Sequence, residues 1–287
     1  MEKFADLKNR LLLSTFAISV LTIVILFSQN PIMQVVVMLL FAITGVLAIW
    51  EYVEFLKTKS IQLPFALLSL FTVLLIFSNY LQMLHYAVTG VNQLMFGLFL
   101  FAIFLYHFAK VEEAIIHIST CFFGLIYILV PLSLMARILY PESVSDGEIN
   151  GRMWLAYLLI VTKITDIGGY LIGTKWGKSK LAPYISPGKT LAGSVAGFIF
   201  ALSMSLGFYV ISQLFPNTHF SLSLLQAVIL GGLIGVFAQI GDLAESLLKR
   251  DAKVKDSSAI AGVGGVLDNL DSLLFTAPVV YIFIKNM

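Results

Sequence analysis

The chain has 287 residues, of which 59% are hydrophobic and 12% charged, about half the charged fraction of an ordinary soluble domain. A mean hydropathy of +0.94 leaves too little polar surface to cover a water-soluble body of this size, so lipid is the solvent for most of the chain. The net charge of +2 gives no reason to expect a nucleic-acid partner, and the single Cys121 excludes an intrachain disulfide.

From the N-terminus, a basic stretch with Lys3, Lys8 and Arg10 leads into an apolar run of membrane-spanning length. No small-x-small cleavage site follows it, so it reads as a retained first helix rather than a signal peptide. Apolar stretches then recur, giving expected spans at 11–28, 32–50, 63–81, 94–109, 114–136, 153–173, 190–212, 223–241 and 272–285. The expected fold is therefore all-α and polytopic, with nine transmembrane helices and a cytoplasmic N-terminus. Residues 1–110 read as a scaffold of four helices with almost no intramembrane charge. Residues 111–287 read as a second region of five helices that carries most of the charge, with cytoplasmic loops at 174–189 and 242–271, the whole forming one structural unit. Trp50, Tyr52, Tyr80, Trp154 and Trp176 fall near span ends, where interfacial aromatics belong.

This layout puts 14 Lys and Arg on one side of the bilayer and 3 on the other, with Lys163 inside the sixth span. By the positive-inside rule the richer side is cytoplasmic, as expected for a multi-pass protein of the cell (inner) membrane. His85, His107, His117 and His219 are scattered without ligand spacing. The pairs Gly193/Gly197 and Gly231/Gly235 read as helix-packing faces, and such faces would also suit a homodimer.

Two segments, 163–189 and 242–271, hold 16 of the chain's 34 Lys, Arg, Asp and Glu. Basic residues serve topology, but carboxylates at a membrane edge need another reason. In the sixth span Lys163 and Asp166 are three apart, as a functional site or a neutralising pair. The turn Ser186-Pro187-Gly188-Lys189-Thr190 precedes a helix. It ends like a P-loop, yet Pro183 stands where that motif needs Gly, so what it offers is a free-amide anion site with Lys189 and Thr190. Asp242 and Glu245 share a helix face with Ser246 and Lys249, and Arg250 follows. Acidic groups beside Lys and Arg suit a polyphosphate–Mg²⁺ site; basic contact with anionic lipid is the alternative. Asp268 and Asp271 repeat the three-residue spacing after a Gly-rich turn. They would either hold a cation, with oxygen ligands favouring Mg²⁺, or pair with lysines and cap their helix.

These residues together resemble the phosphatidate cytidylyltransferases (CDP-diacylglycerol synthases). That family ends in S-x-x-K-R-x4-K-D-S, a Gly-rich turn, then G-G-x-x-D-x-x-D-S. The chain has Ser246, Lys249, Arg250, Lys255, Asp256 and Ser257, then Gly264, Gly265, Asp268, Asp271 and Ser272. The upstream pattern D-x-x-x-Y-x-x-G followed by I-S-P-x-K-T is matched by Asp166, Tyr170, Gly173 and Ile185–Thr190. The turn departs: Ala261-Gly262-Val263-Gly264-Gly265 is one residue shorter than the family's and lacks its His. Asn269 and Ala192 replace a common Arg and Glu.

The resemblance implies attack by a phosphatidate phosphate oxygen on the α-phosphorus of CTP, releasing pyrophosphate and leaving CDP-diacylglycerol in the membrane. A phosphate monoester is already largely ionised at neutral pH, so no side-chain nucleophile is needed; the protein supplies alignment and charge neutralisation. Asp242, Asp268 and Asp271 are expected to hold one or two cations, at least one of them Mg²⁺. Lys249, Arg250 and Lys255 join them in the catalytic set, and Asp166, Ser186, Lys189, Thr190, Ser246 and Asp256 in the substrate-binding set. The expected partners are CTP, phosphatidate and membrane lipid. Two alternatives are a CDP-alcohol phosphotransferase-like enzyme, whose last acidic pair is spaced by four rather than three, and a cation-coupled transporter, which predicts a repeat symmetry the sequence lacks.

Overall fold

The computed structural model describes residues 22–83, 90–109, 112–141, 149–254 and 265–287. Helix α1 is described over 22–27. It is followed by α2 (Pro31–Lys57), α3 (Phe65–Met83), α4 (Val91–His107), α5 (Ala114–Leu139) and α6 (Gly151–Trp176). After a hairpin of β1 (Lys180–Ala182) and β2 (Ser186–Thr190) come α7 (Leu191–Leu214), α8 (Leu224–Asp251) and α9 (Val266–Lys285). Among the described residues seven helices are long and apolar enough to cross a membrane, while α4 is a shorter apolar helix. The chain is a helical, multi-pass membrane protein.

Local chemistry sets the helix starts. Asn30 accepts from the amide of Ile32 at 2.9 Å with Pro31 at the first helical position, and Asn150 accepts from Met153 at 3.2 Å. Ser223 and Gln226 form a reciprocal capping box on α8. Thr190 is at once the last residue of β2 and the cap of α7, its hydroxyl accepting from Gly193 at 3.2 Å.

Helices α6, α7, α8 and α9 pack successively on one another, and α2 and α5 both pack on α9. The glycine pairs are packing faces, as expected, and they are used inside the chain. A Cβ on Gly193 would stand 2.6 Å from the carbonyl oxygen of Gly169 on α6, and Gly231 and Gly235 lie against Ser205, Ala201 and Phe198 of α7. A homodimer would need a different surface.

The loops sort into two ends. At one, Lys59 pairs with Asp251 at 2.5 Å, the Thr58 hydroxyl donates to the Ala252 carbonyl at 2.8 Å, and Arg250 Nε donates to the Ile185 carbonyl at 3.2 Å. At the other, Tyr140 donates to the Ser28 carbonyl, Arg152 to that of Leu26 and the Asn150 amide to that of His219.

Several expectations change. Segments 174–189 and 242–271 are not simply loops: α6 runs to Trp176, α8 to Asp251, and α9 begins at Val266. Hydropathy ends a helix where charges begin, but backbone hydrogen bonding continues because those charges pair with each other (below). Residues 180–190 form an antiparallel hairpin, the one sheet among the described residues. Tyr52 and Trp154 are core residues rather than interfacial ones. Both are buried, with Tyr52 donating to the Thr120 carbonyl at 3.0 Å.

Candidate active site

Two polar clusters meet where α6, α8 and α9 converge. Glycine 241 makes the convergence possible: a Cβ there would stand 2.5 Å from the carbonyl oxygen of Asp271, so α8 and α9 touch backbone to backbone one residue before Asp242.

The first cluster contains Asp166 from α6, Asp242 from α8 and Asp271 from α9. Asp271 is 7% exposed and lies in the electrostatic field of Asp242, Lys163 and Asp166. Asp166 in turn feels Lys163, Asp242 and Lys189. Lys163 Nζ is 3.6 Å from Asp166, and Lys189 Nζ reaches from the hairpin to within 2.7 Å of Asp242. The buried Ser272 hydroxyl stands 3.1 and 3.2 Å from the two oxygens of Asp166 and 3.1 Å from Asp271 Oδ1. With one proton to donate, it serves these anions in turn. Three carboxylates therefore face two lysines, and the site is short of positive charge.

The second cluster is closed on itself. Lys249 Nζ is 2.6 Å from Asp268 Oδ1 and 2.7 Å from Glu245 Oε2, and Glu245 is 0% exposed. Asp268 Oδ2 accepts from the Gly265 amide at 3.2 Å. Glu51 of α2 lies in the field of both Asp268 and Lys249.

By spacing alone, Asp268 goes with Asp271 and Asp242 with Glu245. The structure instead puts one member of each pair in each cluster, because positions three apart on a helix diverge enough in direction to meet different neighbours. Among the other expected residues, Arg250 anchors the hairpin through the Ile185 carbonyl, Thr190 caps α7, and Ser246 is buried on α8. Ser186 begins β2. Lys255, Asp256 and residues 261–264 of the Gly-rich turn lie outside the described residues, as does His85.

Sequence reasoning missed Glu51, Ser272 and Tyr127. The Tyr127 hydroxyl is buried and within the field of both Glu245 and Asp271, so it lies between the clusters. Only Ser272 had a signal, as the last letter of the D-x-x-D-S pattern.

Among the described residues no group of three His, Cys, Asp or Glu side chains could hold a metal by itself. The histidines expected to be scattered include one neighbouring pair, His107 and His117, with ring centroids 5.6 Å apart beside a cavity of about 910 Å³. None of the site residues lines that cavity. The first cluster fits a Mg²⁺ ion in another way. Its donors are hard carboxylate oxygens in a field lacking positive charge, and Mg²⁺ is commonly held by one or two carboxylates, with substrate phosphates and water completing the shell.

The model of the cytidylyltransferase family matches residues 8–287, nearly the full length of this sequence. The chain belongs to the cytidylyltransferase family. Among its relatives in that family is the phosphatidate cytidylyltransferase of Bacillus subtilis, 30% identical over 96% of this chain and 97% of the relative. Those of Chlamydia muridarum and Chlamydia trachomatis are 42% and 41% identical, each over 55% of this chain and 52% of the relative. The alignment thus spans about half the length of the chlamydial proteins.

Proposed function

We propose that the chain transfers the cytidylyl group of CTP to phosphatidate. A phosphate oxygen of phosphatidate bonds to the α-phosphorus of CTP, the bond from that phosphorus to the α,β-bridging oxygen breaks, and pyrophosphate leaves with that oxygen. CDP-diacylglycerol remains in the lipid. The observation that carries this reading is the first cluster, where Asp166, Asp242 and Asp271 gather beside Lys163 and Lys189 in a helix bundle that spans the membrane. Membership of the family supports it independently.

In this reading Asp242 and Asp271 hold Mg²⁺, with Asp166 completing the anionic wall. Bound there, Mg²⁺ would draw charge from the triphosphate and favour departure of pyrophosphate. Lys189, on the hairpin, and Lys163 neutralise phosphate oxygens. Asp268, also expected as a ligand, is assigned to holding Lys249 and through it Glu245. Lys255 and Asp256 keep the phosphate- and substrate-facing roles that the resemblance implies, and any second cation would be sought among the same acidic groups. Arg250 and Thr190 act by fixing the hairpin that carries Lys189. The end of the molecule bearing Lys57, Lys59, Lys189, Lys249 and Arg250 is proposed to face the cytoplasm, where CTP is available, in a bacterial inner membrane.

The test is purified protein with CTP labelled in its α-phosphate, Mg²⁺ and phosphatidate vesicles. Label moving into the lipid phase with stoichiometric pyrophosphate is the expected result. A reaction seen only with CDP-diacylglycerol plus an alcohol, or ion flux without chemistry, would overturn the proposal.

A further inference from the structure

Helix α9 carries Asp268 and Asp271, yet it starts without a cap of its own. Its N-cap is Gly265, which has no side chain to accept from the first-turn amides. Asp268 Oδ2 takes the Gly265 amide at 3.2 Å, and the next two amides find their acceptors elsewhere in the chain. They are taken by Glu51, more than two hundred residues earlier in the chain. Glu51 Oε1 accepts from the Val266 amide at 2.8 Å and Oε2 from the Leu267 amide at 2.7 Å. The side chain is 2% exposed, so water does not compete for these bonds.

We infer that Glu51 is a positioning residue of the active site: it caps α9 from α2 and so sets where Asp268 and Asp271 stand. The bidentate geometry makes the assignment specific. Two parallel bonds from one carboxylate fix both the height and the rotation of the helix start, where a single bond would leave rotation free. The carboxylate also carries the negative charge that the positive end of the α9 dipole favours. Two further contacts hold the same part of the chain to α8: Thr58 donates to the Ala252 carbonyl at 2.8 Å and Lys59 pairs with Asp251 at 2.5 Å. The C-terminal half of α2 and the turn after it thereby touch both helices that supply carboxylates to the site. It belongs to the catalytic unit and not to a lipid-facing scaffold.

The test rests on the proposed cytidylyl transfer and compares the full-length wild type with Glu51→Ala and Glu51→Gln in the same detergent or nanodisc. In Glu51→Ala the amides of Val266 and Leu267 should exchange hydrogen faster, while those of α7 stay as protected as in wild type. At equal folded fraction, kcat should fall between about tenfold and a hundredfold, the range expected when reacting groups shift by about an ångström. The Mg²⁺ concentration for half-maximal rate should rise, because Asp271 moves with α9. Glu51→Gln keeps one acceptor oxygen and should recover part of both effects; it also carries the comparison if Glu51→Ala does not fold. Unchanged exchange at 266–267 would overturn the inference. So would wild-type kcat, or a rate loss that only follows the folded fraction with Mg²⁺ dependence unaltered. If the wild type moves no label into lipid, the functional reading fails instead, and the exchange measurement still decides the capping.

Discussion

The two clusters use the same residue types and share α8 and α9, yet they differ in their access to water. In the Asp166–Asp242–Asp271 cluster Lys163 and Asp242 keep about a third of their side-chain surface exposed. In the Glu245–Lys249–Asp268 cluster one lysine is clasped by two carboxylates and Glu245 is sealed from solvent. A carboxylate cluster open to water can admit a cation and a phosphate; one sealed from water, with its lysine bridging carboxylates of two helices, can hold those helices together. Lys249, a candidate phosphate ligand by its place in the sequence, lies here between a carboxylate of α8 and one of α9.

The sharpest way to break this division is Asp271→Asn. It should lower turnover by about a thousandfold, the upper range for removing one preorganised electrostatic group, with the thermal midpoint in detergent nearly unchanged. Full activity in that variant would remove the first cluster from the chemistry. Lys189→Ala comes next, with an expected loss of about a hundredfold, partly restored by Lys189→Arg, measured as initial rates at saturating phosphatidate. Lys249→Met should behave oppositely. It strands two carboxylates and destabilises the protein by about 3 kcal/mol, read by chemical denaturation, and its rate loss should shrink when rates are scaled to folded protein. Lys59→Ala, at the exposed pair with Asp251, should cost less than about 1 kcal/mol and leave turnover within twofold. If Lys59→Ala proved as damaging as Lys249→Met, burial would not be what separates these ion pairs.

Much of the architecture was legible because lipid imposes long apolar helices, and α5, α6 and α7 lie close to their expected bounds. The site was legible as a list of residues and illegible as a partition. Three-residue spacing says that Asp268 and Asp271 share a face, but which neighbour each meets depends on α8 crossing at Gly241, about thirty residues away along the chain. Glu51 was invisible for a related reason. It sits just past the apolar stretch that marks its span, so it read as the start of a loop, whereas α2 continues to Lys57 and turns it inward. The hairpin was hidden because Pro187 and Gly188 signal a turn, although both lie within β2.

That hairpin has a consequence for how the chain tolerates change. β2 ends and α7 begins with no residue between them, Thr190 serving both, and Lys189 is the neighbour of that cap. One inserted residue between Gly188 and Thr190 would send alternate strand side chains to the opposite face, carrying Lys189 away from Asp242. A single residue added at the fully exposed tip, beside Tyr184, leaves the joint intact. Length variation among natural variants should therefore collect at the tip and be absent from the joint, so a short surface connection carries a reading frame of its own.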